Sequence, residues 1–115
     1  MTIIFRHEKP RKQLLEKGVV YTIRRHPRSR LGRDWATDRR DGEKIANVYI
    51  SLVGCFPAED LTPYVAQSGF ETLDDWVQAY KEINPGILGS TGWLYRVELR
   101  MPIVFRKDKD KEERI

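Results

Sequence analysis

The chain has 115 residues and a formal net charge of +4, with 40% hydrophobic and 33% charged residues. That length supports one hydrophobic core, and the composition excludes a disordered or fibrous chain. No run approaches the roughly 20 apolar residues needed to cross a bilayer, and MTIIFRHEKPRK lacks the long apolar stretch of a signal peptide, so a soluble cytoplasmic protein is expected.

A single cysteine, Cys55, rules out an internal disulfide, and its setting in SLVGCF predicts a small buried side chain. With only His7 and His26 beside it, no zinc-ligand spacing arises, and neither a metal nor another cofactor is expected. The charge is unevenly spread. Residues 1–50 hold 13 Lys and Arg against 6 Asp and Glu, whereas residues 51–105 hold 3 against 7 and residues 106–115 hold 5 against 4. The positive field therefore belongs to the amino-terminal half, where it would draw a polyanion.

TIIF reads as a short strand. Pro10 suits a first helical turn and Gly18 a helix end, which frames PRKQLLEKG as a brief helix anchored by Leu14 and Leu15. Residues 19–25, VVYTIRR, alternate as a strand whose polar outer face carries Val20, Thr22 and Arg24. From Arg25 to Gly42 the sequence contains Pro27, two glycines and six arginines with little periodicity, the mark of a surface loop or irregular strand. EKIANVYISLV, residues 43–53, is the strongest strand, with Ala46, Val48, Ile50 and Leu52 on one face.

Ala58 to Gln67 reads as a short helix that tolerates Pro63 near its start. Thr72 caps a longer helix through TLDDWVQAYKEIN, with Asp74 and Asp75 near its positive end and Trp76, Ala79, Tyr80 and Ile83 at helical spacing. NPGILGSTG is a turn-rich connection. WLYRVELRM follows as a half-buried strand with Trp93, Tyr95, Val97, Leu99 and Met101 on one side, and a charged tail over 106–115 ends the chain. Several strands with one strong helix predict an α+β fold closed into a small β-barrel with flanking helices, one domain over residues 1–105.

KGVVYTIR at 17–24, GEKIANVYISLVG at 42–54, SGFETLDDWVQAYKEIN at 68–84 and LYRVEL at 94–99 together resemble ASCH domains, over roughly residues 3–100. Thr22 and Arg24 match the threonine and arginine of that family's first-strand signature, and Gly69, Phe70 and Trp76 match its second-helix opening. The resemblance implies a PUA-like barrel with a cleft between barrel and helix suited to a nucleotide, since PUA domains bind RNA. Small bacterial members are amidohydrolases on acylated cytidine that use a lysine, the threonine and a glutamate. Here Val19 stands at the lysine position and Ser68 at or near the glutamate, and neither can move a proton as those groups do.

RNA or nucleotide binding without chemistry is therefore the expected activity. The candidate contacts are Lys17, Thr22, Arg24, Ser68 and Lys44, with Arg25, Arg28, Arg30, Arg39 and Arg40 gathered as phosphate ligands and Trp35 as a base-stacking platform. Two other classes stay open. Lys17, Thr22 and Glu71 would reassemble a hydrolase site, and the acidic second half would serve a protein partner.

Overall fold

The structure, a computed structural model, describes residues 2–84 and 91–100. Strand β1 (Thr2–Ile4) leads to helix α1 (Glu8–Lys17), which starts two residues before Pro10 because His7 caps it: His7 Nδ1 accepts the Lys9 amide at 3.2 Å. Gly18 ends the helix in the left-handed region at φ 87°, its amide donating to the Leu14 carbonyl at 2.9 Å. Leu14 is fully buried, while Leu15 is 45% exposed and anchors nothing. Neighbouring helical positions point about 100° apart, so only one of the two can face the sheet.

Strand β2 (Val19–Arg24) reverses an expectation. The face carrying Val20, Thr22 and Arg24 points inward, and Val20 and Thr22 are buried. It meets Ile3, Phe5, Leu14, Val48, Ile50, Tyr95 and Val97 in the main core. The opposite face, with Tyr21 and Ile23, packs under Leu61, Phe70, Trp76, Ala79 and Tyr80 of a second cluster. A strand covered on both sides has no solvent face, so alternation of residue type does not mark which side is outside.

The arginine-rich stretch is not loop throughout: Gly32–Thr37 forms strand β3, with Ala36 and Thr37 buried. Strand β4 (Ala46–Phe56) starts later than the pattern suggests and runs on past a register shift between Leu52 and Gly54. That bulge, with the end of β3 opposite Ile50, leaves Leu52 43% exposed and turns Cys55 to solvent, contrary to the buried setting expected for it. Ala58–Gln67 winds as a 3-10 segment that accommodates Pro63. Helix α2 (Leu73–Ile83) is capped by Thr72, whose Oγ1 accepts the Asp75 amide at 3.1 Å. Its Trp76, Ala79 and Tyr80 are buried as their spacing requires, whereas Ile83 is 50% exposed.

Strand β5 (Gly92–Leu99) buries Tyr95 and Val97 on the inner face and Leu94 on the outer. The sheet order is β1-β3-β4-β5-β2, with β1 parallel to β3 and every other pair antiparallel. The result is an α+β fold, a five-stranded mixed sheet curled into a half-barrel with three helical segments. It stops short of the closed barrel that the strand pattern suggested, because β1 and β2 remain edges. Expectations for the connection beyond Asn84, for Met101 and for the tail lie outside the described residues.

Leu14 and Leu15 give a direct check on this packing. Leu14→Ala is expected to lower the unfolding free energy by about 2–5 kcal/mol and Leu15→Ala by about 0.5 kcal/mol or less, as read from urea titrations of the two variants.

Candidate functional site

A cleft of about 310 Å³ opens where the half-barrel is incomplete, between the β1–α1 connection, the end of β2 and one face of α2. Its position follows from the topology. The two edge strands form no ladder with each other, and Arg24 bridges them: Nη1 donates to the Ile4 carbonyl at 2.9 Å and Nε to Thr22 Oγ1 at 3.2 Å. The guanidinium also stands over the Phe5 ring, 5.1 Å from its centre. Arg11 straps the β1–α1 connection from behind by donating to the carbonyls of Phe5 and Arg6 at 3.1 and 3.3 Å.

On the far wall, Phe70 meets His7 edge-on at 4.9 Å between ring centres. Gly69 makes this approach possible. Its φ is +93°, and a Cβ there would lie 2.5 Å from the Lys9 carbonyl oxygen, so the turn before α2 abuts the first turn of α1. Trp76 and Tyr80 of α2 belong to the second hydrophobic cluster and also line the cleft. The Tyr80 hydroxyl donates to the Thr91 carbonyl at 3.1 Å, and burial raises it above the usual phenol range. It stays a neutral donor.

The charged lining is one-sided. Arg6, Arg24 and Arg25 contribute guanidinium groups, and among the described residues no aspartate or glutamate lines the cleft. Burial first, and the neighbouring Arg28 second, pull Arg24 down from its ordinary value to about 10, which leaves it charged at neutral pH. Arg28 is differently placed. Its Nη2 meets Asp34 at 2.8 Å, with the two side chains 15% and 7% exposed, and its amide donates to the Tyr95 hydroxyl at 2.6 Å.

Of the residues singled out from sequence, Thr22, Arg24 and Arg25 line this cleft. Arg28 sits beside it in the ion pair with Asp34, and Arg30 is exposed on the β2–β3 connection. Arg39, Arg40 and Lys44 lie in the β3–β4 connection, at the opposite end of β3. Ile4 and Phe5 of the cleft wall lie beside Thr37 at that same end of β3, the Phe5 amide donating to the Thr37 carbonyl at 2.8 Å, yet none of Arg39, Arg40 and Lys44 lines the cleft. Trp35 occupies the outer face of β3, half-buried and opposite Asn47. Lys44 donates to Asn47 Oδ1 at 3.2 Å, and Arg39 pairs with Asp38.

Ser68 is fully buried. Its hydroxyl donates to the Val65 carbonyl at 2.8 Å and accepts the Phe70 amide at 3.0 Å, which makes it a turn residue behind the wall. Lys17 and Glu71 line a separate shallow groove of about 260 Å³ with Lys9, Lys12 and Glu16. Lys17, Thr22 and Glu71 thus do not share one cavity. Sequence reasoning missed Arg6, His7 and Asn84. Arg6 and His7 sit between a strand and a helix start in TIIFRHEKP, and that strand-to-helix step was the only available signal.

Among the described residues no group of histidine, cysteine, aspartate or glutamate is arranged to hold a metal ion, and no helix is long and apolar enough to cross a membrane. Asp34→Asn removes the counter-charge of an enclosed guanidinium and is expected to destabilise the fold by about 3 kcal/mol. Arg39→Ala breaks an exposed pair and should cost about 0.5 kcal/mol or less, with chemical denaturation distinguishing the two. In comparisons with known proteins the chain matches no family model, no curated protein and no solved structure.

Proposed function

We propose that the chain is an RNA- or nucleotide-binding domain of the PUA-like, ASCH type, and that the cleft beside Thr22 and Arg24 receives a nucleotide or an unpaired base. One observation carries this reading: three arginines and the rings of Phe70, Trp76 and Tyr80 line a single hollow to which no aspartate or glutamate among the described residues contributes. Cations without acidic neighbours favour an anion, and Arg donates in a planar fork matched to phosphate oxygens. Aromatic walls add stacking, worth about 1–3 kcal/mol per base in single-stranded recognition.

The half-barrel and the helix-lined opening beside the Thr22–Arg24 segment are consistent with the resemblance to ASCH domains, which implies a cleft in that position. Binding is favoured over hydrolysis by the lining itself. Carboxylate-based general acid–base work needs an acid within hydrogen-bond reach of the ligand, and Lys17 and Glu71 open onto the other groove. The net positive charge of residues 1–50 would hasten the approach of a polyanion without fixing what is read.

Fluorescence anisotropy with a short single-stranded RNA tests the reading. Affinity is expected to fall from 50 to 200 mM salt, and Arg25→Ala and Arg6→Ala should each reduce the logarithmic salt slope by about 1. Replacing Arg39 and Arg40 together, neither of which lines the cleft, should reduce that slope less than either cleft variant does. No detectable RNA or nucleotide affinity at low salt would rule the proposal out.

A further inference from the structure

The interior of the half-barrel holds two guanidinium groups and treats them differently. Arg28 has the Asp34 carboxylate at 2.8 Å. Among the described residues the partners of Arg24 are neutral, namely the Ile4 carbonyl, the Thr22 hydroxyl and the Phe5 ring, and no described carboxylate forms an ion pair with it. An enclosed cation without a counter-charge is costly, and the lowered Arg24 value reports that cost. A ligand that supplied the missing negative charge would offset it.

The direction in which that charge would be delivered follows from the hydrogen bonds. Nε and Nη1 of Arg24 are engaged, and no described acceptor meets Nη2. Arg24 lines the cleft, so Nη2 is the donor left for a group bound there. Arg6 and Arg25, both exposed, stand at the rim on either side.

We infer that Arg24 is the seat of a phosphoryl group, so that the cleft's ligand is a nucleotide carrying a terminal phosphate, free or at the end of an RNA strand, and not a bare nucleoside. This rests on the reading of the cleft as a nucleotide site and narrows it. A phosphate linked on both sides would have to lead two strands out past the same rim, whereas a terminal phosphate enters once. The hollow of about 310 Å³ is at the small end of ligand pockets, which suits one nucleotide.

The test is calorimetric titration of the wild-type protein with a nucleoside, its 5′- and 3′-monophosphates and inorganic phosphate, followed by single-stranded RNAs of one sequence with and without the preferred terminal phosphate. One monophosphate is expected to bind at least tenfold tighter than the nucleoside, inorganic phosphate to compete with it, and the phosphorylated RNA to bind tighter than its hydroxyl-ended counterpart. Arg24→Gln should erase the preference while keeping residual nucleoside binding. Because Arg24 also ties β1 to β2, that variant can fail to fold, and phosphate competition on the wild type then decides the matter. Equal affinity for nucleoside and monophosphates, or for the two RNAs, overturns the phosphoryl seat and leaves the cleft as a base-binding site. Absence of binding by every probe overturns both readings.

Discussion

The contact on which the rest of this molecule depends is the reach of Arg24 from one edge of the sheet to the Ile4 carbonyl on the other. Five strands in the order β1-β3-β4-β5-β2 curl far enough for the outer two to approach, yet they form no ladder. A continuous barrel would have spent its edge amides and carbonyls on one another and filled the gap with backbone. Here one long side chain spans the seam, its guanidinium set over the Phe5 ring and at a wall of the opening. Fold closure and the cleft are two outcomes of one arrangement.

That arrangement also accounts for the two hydrophobic clusters. The inner face of the sheet carries the larger one, built around Tyr95, Val97, Val48 and Leu14. The outer face of β2 and β5 is roofed by the 3-10 segment and α2 through Ile23, Leu94 and Trp76. Because β2 belongs to both layers, moving it would disturb both cores together, and the cleft floor with them. The close approach at Gly69 has the same character, since it seats the α2 turn directly on the backbone of α1.

Much of the fold was legible in the sequence, and the misreadings have a common origin. Helix α2 could be placed because Thr72, the two aspartates and the 3.6-residue spacing of Trp76, Ala79 and Tyr80 all agree. Strands β4 and β5 were visible through alternation. Strand β3 was hidden because GRDWAT carries only two strongly apolar side chains, and its neighbours rather than its own composition make it a strand. The inward turn of Thr22 and Arg24 was hidden for a related reason, since polarity normally marks the outside. Of the site, the chain positions after β2 were found and those after β1 were not: Arg6 and His7 are distant in sequence from Arg25 and meet it only because β1 and β2 flank the same gap. Of the arginines grouped from Arg25 to Arg40, Arg25 lines the cleft and the others do not.

The bulge at Leu52–Gly54 has a practical side. By turning Cys55 out to solvent opposite Trp93, it leaves the molecule with its sole thiol accessible and beside an indole. A maleimide dye coupled there would occupy one known position next to an intrinsic quencher, so the wild-type polypeptide already contains the attachment point for an optical reporter of the β4–β5 pairing.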